Sequence, residues 1–266
     1  MKVIYAFKQL HREHYKPFDE TFFKLARLSV EMAKKYYSTK LYCDRESLKM
    51  FNHNNVKFDE VEILDSIEQY SGNLTCMSKI LAMMEQTEPY IMCDFDSVIL
   101  QNIPNVSTIK FAYPETVKLH LNTVLYEGRP DDYINYLDKY YATPYNKHKH
   151  KFHDWFLVDP DTSPNNCIVM VNSPIMVREI YKDILSKFTT EEMDLTGPMF
   201  IEQFLLYHYL KNFRVDIDYI ADGWKNPNTM DYQMLFEKFI HFMDYHEDTL
   251  INEKIEYLAN LHDIKL

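Results

Sequence analysis

Short apolar runs and amphipathic segments alternate along the first hundred residues. Apolar runs at Lys2–Phe7 and Thr39–Cys43 predict strands, and a third strand is expected near Glu60–Leu64. Between the first two runs, Phe18–Tyr37 carries apolar residues at helical spacing, and a short helix is expected at Glu46–Phe51. Strands that alternate with helices in this way predict an α/β fold, with a mixed, mostly parallel sheet flanked by helices.

Two carboxylates interrupt the longest apolar run of this half. A helix is predicted at Ser78–Met84, and Pro89 ends it before the run Tyr90–Leu100 (YIMCDFDSVIL), which contains Asp94 and Asp96. Burying an ionised carboxylate is costly unless it is paired or bound to a metal. Ligands of parallel α/β sheets bind outside the carboxyl ends of the strands. Position and chemistry therefore both make this pair a candidate site.

The second half of the chain has a less regular pattern. Residues 128–164 are rich in Pro, Asp, Tyr, Lys and His, which predicts loops with a helix near Asp131–Tyr141. The remaining expected elements are a strand at Cys167–Val171 and helices at Pro174–Phe188, Pro198–Asn212 and Thr249–Leu266. The chain shows no repeat or linker, so we expect a single domain. Its parts would be a nucleotide-binding half (1–100), an acceptor or sugar half (101–248) and a terminal helix (249–266).

Composition excludes several function classes. The 266 residues carry a formal charge of −11, which disfavours a nucleic-acid binder because such proteins neutralise phosphates with basic side chains. The four glycines are too far apart to form a glycine-rich phosphate loop. The four cysteines form no CxxC pair, which favours buried free thiols. No apolar stretch is long enough for a signal peptide or a membrane span, so a soluble, cytoplasmic protein is expected.

The Asp-Phe-Asp segment has three chemical interpretations. Carboxylates two residues apart can share one divalent cation such as Mg²⁺ or Mn²⁺, leaving coordination positions for diphosphate oxygens. They can also form the nucleophile and acid pair of a phosphatase. The third interpretation is a strand end that turns into solvent and has no chemical role.

The same segment resembles the DxD motif of glycosyltransferases with the GT-A fold, which also follows nucleotide-binding βαβ structure. Downstream, Phe239–Phe242 (FIHF) resembles the late His-Phe element of the glycogenin-like and lipopolysaccharide-galactosyltransferase families. The resemblance implies that His241 is a third metal ligand beside Asp94 and Asp96. A neutral imidazole suits Mn²⁺, so the implied cofactor is Mn²⁺ or Mg²⁺.

Two further segments resemble the sugar pocket of these families. Asn165–Asn172 is similar to the strand that borders this pocket, which implies donor binding by Asn166, although Ile168 stands where the families have a small residue. Glu202 and Gln203 resemble the acidic-Gln pair that opens a helix facing the transferred sugar, which implies catalytic roles for both. Without such a role, Glu202 is a first-turn carboxylate favoured by the helix dipole.

The resemblance also implies contacts to the nucleotide. Lys79 matches a basic residue that can reach the donor, and its alternative is an exposed helical lysine. Tyr5 and Ala6 end the first predicted strand and Asp44 follows the second. In the families, an aromatic ring at such strand ends faces uracil and a carboxylate reaches the base or ribose.

A histidine-rich segment, HKHKFHDWF, contains His148, His150 and His153 followed by Trp155. The spacing of the histidines matches no compact zinc site, and the interleaved lysines would repel a cation. A loop near the acceptor, with Trp155 stacking on a sugar ring, is one interpretation. A solvated loop is the other.

A different enzyme class remains possible on these residues. The run also resembles the first motif of haloacid-dehalogenase-type phosphatases, which implies Asp94 as nucleophile, Asp96 as general acid and a bound Mg²⁺. Such an enzyme needs a later acidic pair, for which Asp218 and Asp222 are the candidates. A non-catalytic module that binds a nucleotide-sugar is a third possibility.

The prediction favoured by these patterns is a GT-A-like, Rossmann-like single domain. Its expected activity is metal-dependent transfer of a sugar, in the manner of hexosyltransferases, from a nucleotide-sugar to a hydroxyl acceptor. The donor is expected to be a UDP-sugar, and the resemblance implies retention of configuration. The sequence does not distinguish a carbohydrate from a lipid-linked or protein acceptor, because acceptor pockets are built from variable loops.

Overall fold

The computed structural model describes residues 1–9, 18–105, 107–116, 138–159, 162–222, 237–242 and 250–266. The strands are β1 (Lys2–Phe7), β2 (Ser38–Cys43), β3 (Glu60–Ile63), β4 (Tyr90–Cys93), β5 (Ser97–Ile99), β6 (Ile109–Thr116), β7 (Thr162–Val171), β8 (Ile217–Tyr219) and β9 (Phe239–His241). The α-helices are α1 (Glu20–Lys34), α2 (Arg45–His53), α3 (Asp65–Gln69), α4 (Met77–Met84), α5 (Thr143–His148), α6 (Pro174–Ser186), α7 (Thr190–Thr196), α8 (Leu205–Asn212) and α9 (Leu250–Leu261). A π-helical turn, Phe200–Phe204, leads directly into α8.

Seven strands form one sheet in the order β3-β2-β1-β4-β7-β6-β8. β7 runs antiparallel to both neighbours, β4 and β6, and the other pairings are parallel. Strands β5 and β9 form a separate antiparallel pair. The prediction of an α/β fold with a mostly parallel sheet flanked by helices is therefore confirmed, while the division at residue 100 stays a prediction.

Alternating side chains of the central strands separate two cores. Val3 and Tyr5 of β1 pack on the face covered by α1 and α2, while Ile4 packs on the face covered by α4 and α6. Helix α1 begins at its N-cap Asp19, whose carboxylate accepts from the Phe22 backbone N–H. Among the described residues, no helix combines the length and apolar character needed to cross a bilayer.

The structure differs from the sequence expectation in several places, and β6, α5 and α7 were not predicted at all. β7 begins at Thr162, five residues before the predicted strand, because its polar residues are buried and hydrogen-bonded inside the protein. The strands β5, β8 and β9 have three residues each, too few to show the alternating apolar pattern that predicts a strand. Of the helix expected near Asp131–Tyr141, residues 131–137 lie outside the described residues, and Asp138–Ala142 form a π-helical turn.

Phe95 fixes the turn after β4 to the core. Its side chain is 7% exposed, with its ring centroid 5.0 Å from that of Phe51 and 5.1 Å from that of Tyr5. The flanking carboxylates remain accessible, with 37% of the Asp94 side chain and 28% of the Asp96 side chain exposed. The apolar residue between the two aspartates therefore anchors the turn that carries them.

We expect Phe95→Ala to lower the free energy of unfolding by about 3–5 kcal/mol, because it leaves a cavity among aromatic rings. Urea unfolding measures the change. Phe213→Ala is the matched control, since that ring is largely exposed and should contribute less than about 0.5 kcal/mol. Equal losses in the two variants would show that Phe95 is not an anchor.

Two contacts align the segment Phe200–Asn212 with β7. Near its start, Asn166 Nδ2 donates to the Glu202 carbonyl at 3.2 Å, and six residues later His208 Nε2 lies 3.2 Å from the Thr162 carbonyl. The carbonyl can only accept, so Nε2 carries the proton of the neutral imidazole. His208 is 2% exposed, and burial lowers its pKa to about 4, although the hydrogen bond to Thr162 acts in the opposite direction.

This pKa predicts an acid-sensitive contribution to stability. The pKa of His208 is lower in the folded state than in the unfolded state, so protonation favours unfolding. The free energy of unfolding is therefore highest above pH 6.5 and decreases as the pH falls towards 4. Between pH 7 and 4.5 the wild type should lose about 2 kcal/mol more than His208→Gln, which keeps a donor and does not titrate. Urea unfolding at both pH values measures this difference. The exposed control His150→Gln should behave as wild type, and an equal loss in His208→Gln would contradict the assignment.

Candidate active site

The candidate site lies outside the carboxyl end of β4, where the order of strands reverses direction. β1 has β2 on one side and β4 on the other, which makes the crevice outside β1 and β4 the switch point at which α/β sheets bind ligands. The Asp94 backbone N–H donates to the Cys167 carbonyl at 2.8 Å, and the Ser97 N–H donates to the Asp94 carbonyl at 3.1 Å. These bonds hold Asp94 against β7 and turn the chain into β5.

The small β5-β9 sheet brings His241 to this turn. Ser97 pairs with His241 in the strand register, and the Phe242 N–H donates to the Asp96 carbonyl at 2.8 Å. His241 Nε2 consequently lies 3.5 Å from Asp96 Oδ2, and its Nδ1 lies 2.9 Å from the Tyr113 hydroxyl. The predicted neighbours Asp96 and His241 are therefore in contact, although they are far apart in the sequence.

Asp96 and His241 shift each other's pKa. Burial opposes ionisation of both groups. The attraction of His241 nevertheless lowers the pKa of Asp96, and interactions with Cys167 and then Asp96 raise the pKa of His241 above its ordinary value. Ligation of a cation would instead need a neutral imidazole with a free Nε2. In that state Nδ1–H donates to the Tyr113 hydroxyl, an outer contact of the kind that orients metal-bound histidines.

Lys79 joins three segments of the site through its ammonium group. Lys79 Nζ lies 2.8 Å from Asp94 Oδ1 and 2.6 Å from Glu202 Oε1, and it donates to the Asn166 carbonyl at 2.6 Å. An ammonium group has three N–H donors, and these acceptors match that number. Burial by itself would lower the pKa of Lys79, but the two carboxylates raise it above its ordinary value, so Lys79 is a buried cation.

Negative charge is in excess around this lysine. Asp94, Asp96 and Glu202 supply three carboxylates, against which the same cluster has the cations Lys79 and, when protonated, His241. Partial desolvation raises the pKa of Asp94 above its ordinary value, Lys79 opposes this shift, and Glu202 and Asp96 add to it. An additional cation would be stabilised at this position.

Asn166 contributes both its backbone and its side chain. Its carbonyl accepts from Lys79, and its Nδ2 donates to the Glu202 carbonyl, which also accepts from the Tyr181 hydroxyl at 3.0 Å. Within the described part of the chain, Asn166 Oδ1 is buried without a hydrogen-bond partner. A buried amide oxygen without a partner is costly, which makes it a candidate acceptor for a ligand hydroxyl.

A second buried carboxylate, Glu115, was not identified from the sequence. Asn165 Nδ2 donates to Glu115 Oε1 at 2.9 Å, and the Tyr141 hydroxyl donates to Oε2 at 3.1 Å. Gln203 Nε2 donates to the Tyr141 hydroxyl at 2.5 Å, so the amide of Gln203 is part of this network. Burial raises the pKa of Glu115 despite these donors. The only sequence signal was an acidic residue near the end of the strand IKFAYPET.

The predicted nucleoside contacts have different outcomes. The Tyr5 ring is fully buried, and its hydroxyl lies 3.1 Å from Ser29 Oγ. Contrary to the expectation, it is not exposed for stacking, because its position in β1 directs it into the core beneath α1. Asp44 caps α2 by accepting from the Ser47 N–H at 2.8 Å, and Ala6 is partly exposed. The proposed roles of Ala6 and Asp44 stay predictions.

The residue types of the site suit a divalent cation, but the positions of their side chains do not yet form a metal site. Two carboxylates and an imidazole suit Mn²⁺, and both aspartates are partly exposed. Among the described residues, however, no group of three or more His, Cys, Asp or Glu side chains is arranged to hold a metal. Ligation by Asp94, Asp96 and His241 together therefore requires these side chains to converge.

The acidic pair needed by a haloacid-dehalogenase-type phosphatase is not assembled here. Asp218 lies on β8, three strands from β4, which corresponds to roughly 14 Å across the sheet. It pairs with Lys110 Nζ at 2.8 Å, and Asp222 is exposed beyond the end of β8. Neither residue joins Asp94 and Asp96.

No protein-family model matches the chain, and no curated protein matches it in sequence. Among solved structures, it is similar to the glycosyltransferase GlyE of Streptococcus pneumoniae TIGR4, with 9% identity and a TM-score of 0.46. That similarity covers 97% of this chain and 60% of the GlyE chain. A likeness this remote decides neither fold nor function, so the assignment depends on the site itself.

We expect Lys79→Met to lower the free energy of unfolding by about 3 kcal/mol, because it leaves two carboxylates without their cation. Urea unfolding measures the loss, and adding Glu202→Gln should restore part of it by removing one of these charges. The matched control is Lys182→Met, whose ion pair with Glu179 is exposed and should contribute less than about 1 kcal/mol. A Lys79→Met protein as stable as wild type would contradict the buried ion cluster.

Proposed function

We propose that the chain is a metal-dependent glycosyltransferase that moves a hexosyl group from a UDP-sugar to a hydroxyl acceptor. The observation that carries this proposal is the contact between Asp96 and His241 at the switch point of the sheet, beside the cluster of Asp94, Lys79 and Glu202. The proposal includes retention of configuration, which the family resemblance alone suggests.

Asp94, Asp96 and His241 would hold the cation. When bound, Mn²⁺ or Mg²⁺ supplies Lewis-acid neutralisation of the diphosphate leaving group. A cation is needed there because the donor is anionic, the chain has a net charge of −11, and the carboxylates of this site would repel the diphosphate.

Glu202 would act on the sugar. Its carboxylate is fixed by Lys79, and its backbone carbonyl is fixed by Asn166 and Tyr181. In the reaction, the bond between the anomeric carbon and the diphosphate oxygen breaks, a bond to the acceptor oxygen forms, and the proton of the acceptor hydroxyl passes to the departing diphosphate oxygen. A prepositioned carboxylate stabilises the positive charge that develops at the anomeric carbon.

Gln203, Asn166 and Lys79 would support the donor in different ways. Asn166 offers its buried Oδ1 to a sugar hydroxyl. Gln203 is oriented by Tyr141 at the side of Glu202. Lys79 acts on the donor through the two carboxylates that it positions, since its three N–H groups already have acceptors within the protein.

The proposal is tested by a panel of UDP-sugars with Mn²⁺, in which sugar hydrolysis or transfer is measured by UDP release. We expect turnover that EDTA abolishes and that Asp96→Asn lowers by about 100-fold, because the isosteric amide removes the charge facing the cation. Asp216→Asn is the matched control, since Asp216 is exposed and remote from this site.

Two other results would identify the rival functions. Phosphate release from p-nitrophenyl phosphate that Asp94→Asn abolishes, without UDP release, would show a phosphatase. Mn²⁺-dependent UDP-sugar binding by calorimetry, again without UDP release, would show a non-catalytic binding module. Either result contradicts the transferase.

A further inference from the structure

A cleft lies further along β7 and α8 from the candidate active site. This cleft of about 600 Å³ is formed by the loop 155–159, the start of β7 and the end of α8. Its walls include Trp155, Asp159, Tyr207, Lys211 and Arg214. The volume is in the range of small-molecule sites, which combine an apolar surface with a few polar groups.

The loop presents Trp155 to solvent on a fixed support. Phe156 is buried, with its ring centroid 5.0 Å from that of Phe152 and 4.8 Å from that of Tyr209. On the other side of the loop, Asn212 accepts from the Leu157 N–H at 2.9 Å and donates to its carbonyl at 2.8 Å. Trp155, which directly precedes these two anchored residues, is 55% exposed. One face of the indole stacks on the His153 ring, with the ring centroids 5.7 Å apart, and the exposed remainder offers an aromatic surface to a ligand.

Strand β7 and the helical segment Phe200–Asn212 border the cleft and also extend to the candidate active site. Asn166, in the middle of β7, meets Glu202 near the start of the helical segment, and Thr162, at the start of β7, meets His208 beside the cleft. The two contacts are separated by four strand residues, roughly 13 Å, and by six helical residues, roughly 9 Å. An extended ligand could therefore contact both places at once.

We propose that this cleft binds a saccharide segment of the acceptor, an inference that rests on the proposed function. The C–H face of a sugar ring would pack on the Trp155 indole. Its hydroxyls would accept from Lys211 and Arg214 and donate to Asp159, since hydroxyls do both. Charged groups of both signs around one exposed indole suit a neutral, hydroxyl-rich ligand better than an apolar protein surface.

Binding is tested in a Trp224→Phe protein, in which Trp155 is the only tryptophan of the chain. Maltohexaose, chitohexaose and hyaluronan hexasaccharide are the probes, and saturable change in Trp155 emission is the readout. We expect at least one probe to bind. Calorimetry with that probe should show at least tenfold weaker binding for Trp155→Ala, and binding within threefold of wild type for Trp155→Phe and for the exposed-aromatic control Tyr257→Ala.

Activity measurements separate this proposal from the proposed function. With the bound hexasaccharide as acceptor, Trp155→Ala should raise KM at least tenfold, while its Mn²⁺-dependent UDP release with water as acceptor stays at the wild-type rate. Probe binding in a protein without UDP release would contradict the transferase but keep a saccharide cleft.

Two results would overturn the cleft proposal. One is normal UDP release in a protein whose Trp155 emission responds to none of the three probes. The other is a concentration-dependent dimer, seen by light scattering, that Trp155→Ala abolishes, since a second copy of the chain would then be the partner of the exposed indole.

Discussion

Compensation of clustered, partly buried negative charge is the constraint on which the centre of this protein depends. Asp94, Asp96 and Glu202 come from two distant parts of the chain, and their carboxylates are stable together only because basic side chains contact them. Lys79 satisfies this constraint from α4, and His241 satisfies it from β9. The same contacts connect β4, β7, β9 and the segment Phe200–Asn212. The ion pairs that balance the charge of the site therefore also stabilise the packing of the second half.

This constraint also connects structure to function. Phe95 anchors the turn from within the aromatic core, which leaves both neighbouring aspartates accessible at the switch point. Lys79 and His241 offset part of the negative charge, and one more cation would stabilise the cluster further. A donor whose leaving group is a diphosphate would bring further negative charge to the same place. A divalent cation bound there would reduce both repulsions, which is the physical basis of the proposed transferase.

The sequence predicted the regular parts of the molecule well and the contacts of the site unevenly. β1, β2, β4 and the helices α1 and α4 followed from apolar patterns, because most of their buried side chains are apolar, whereas α3 and β6 were not predicted. β7 was predicted too short, since Asn165 and Asn166 look like loop residues until their partners Glu115, Glu202 and Lys79 are known. For the same reason Glu115 was missed. The nucleoside contact of Tyr5 was taken from the resemblance, and its ring lies in the core instead. The tertiary structure decides which partner a buried polar group has. Neither the apolar periodicity nor the composition of the sequence predicts that partner.

The central claim is tested most directly by diffraction from crystals soaked with MnCl₂ and UDP, with data collected at the manganese absorption edge. The account predicts one anomalous peak at the carboxyl end of β4, within coordination distance of Asp96 and His241 and in contact with the diphosphate. Crystals that bind UDP at this crevice with no manganese beside Asp96, or with manganese held only elsewhere, would contradict it.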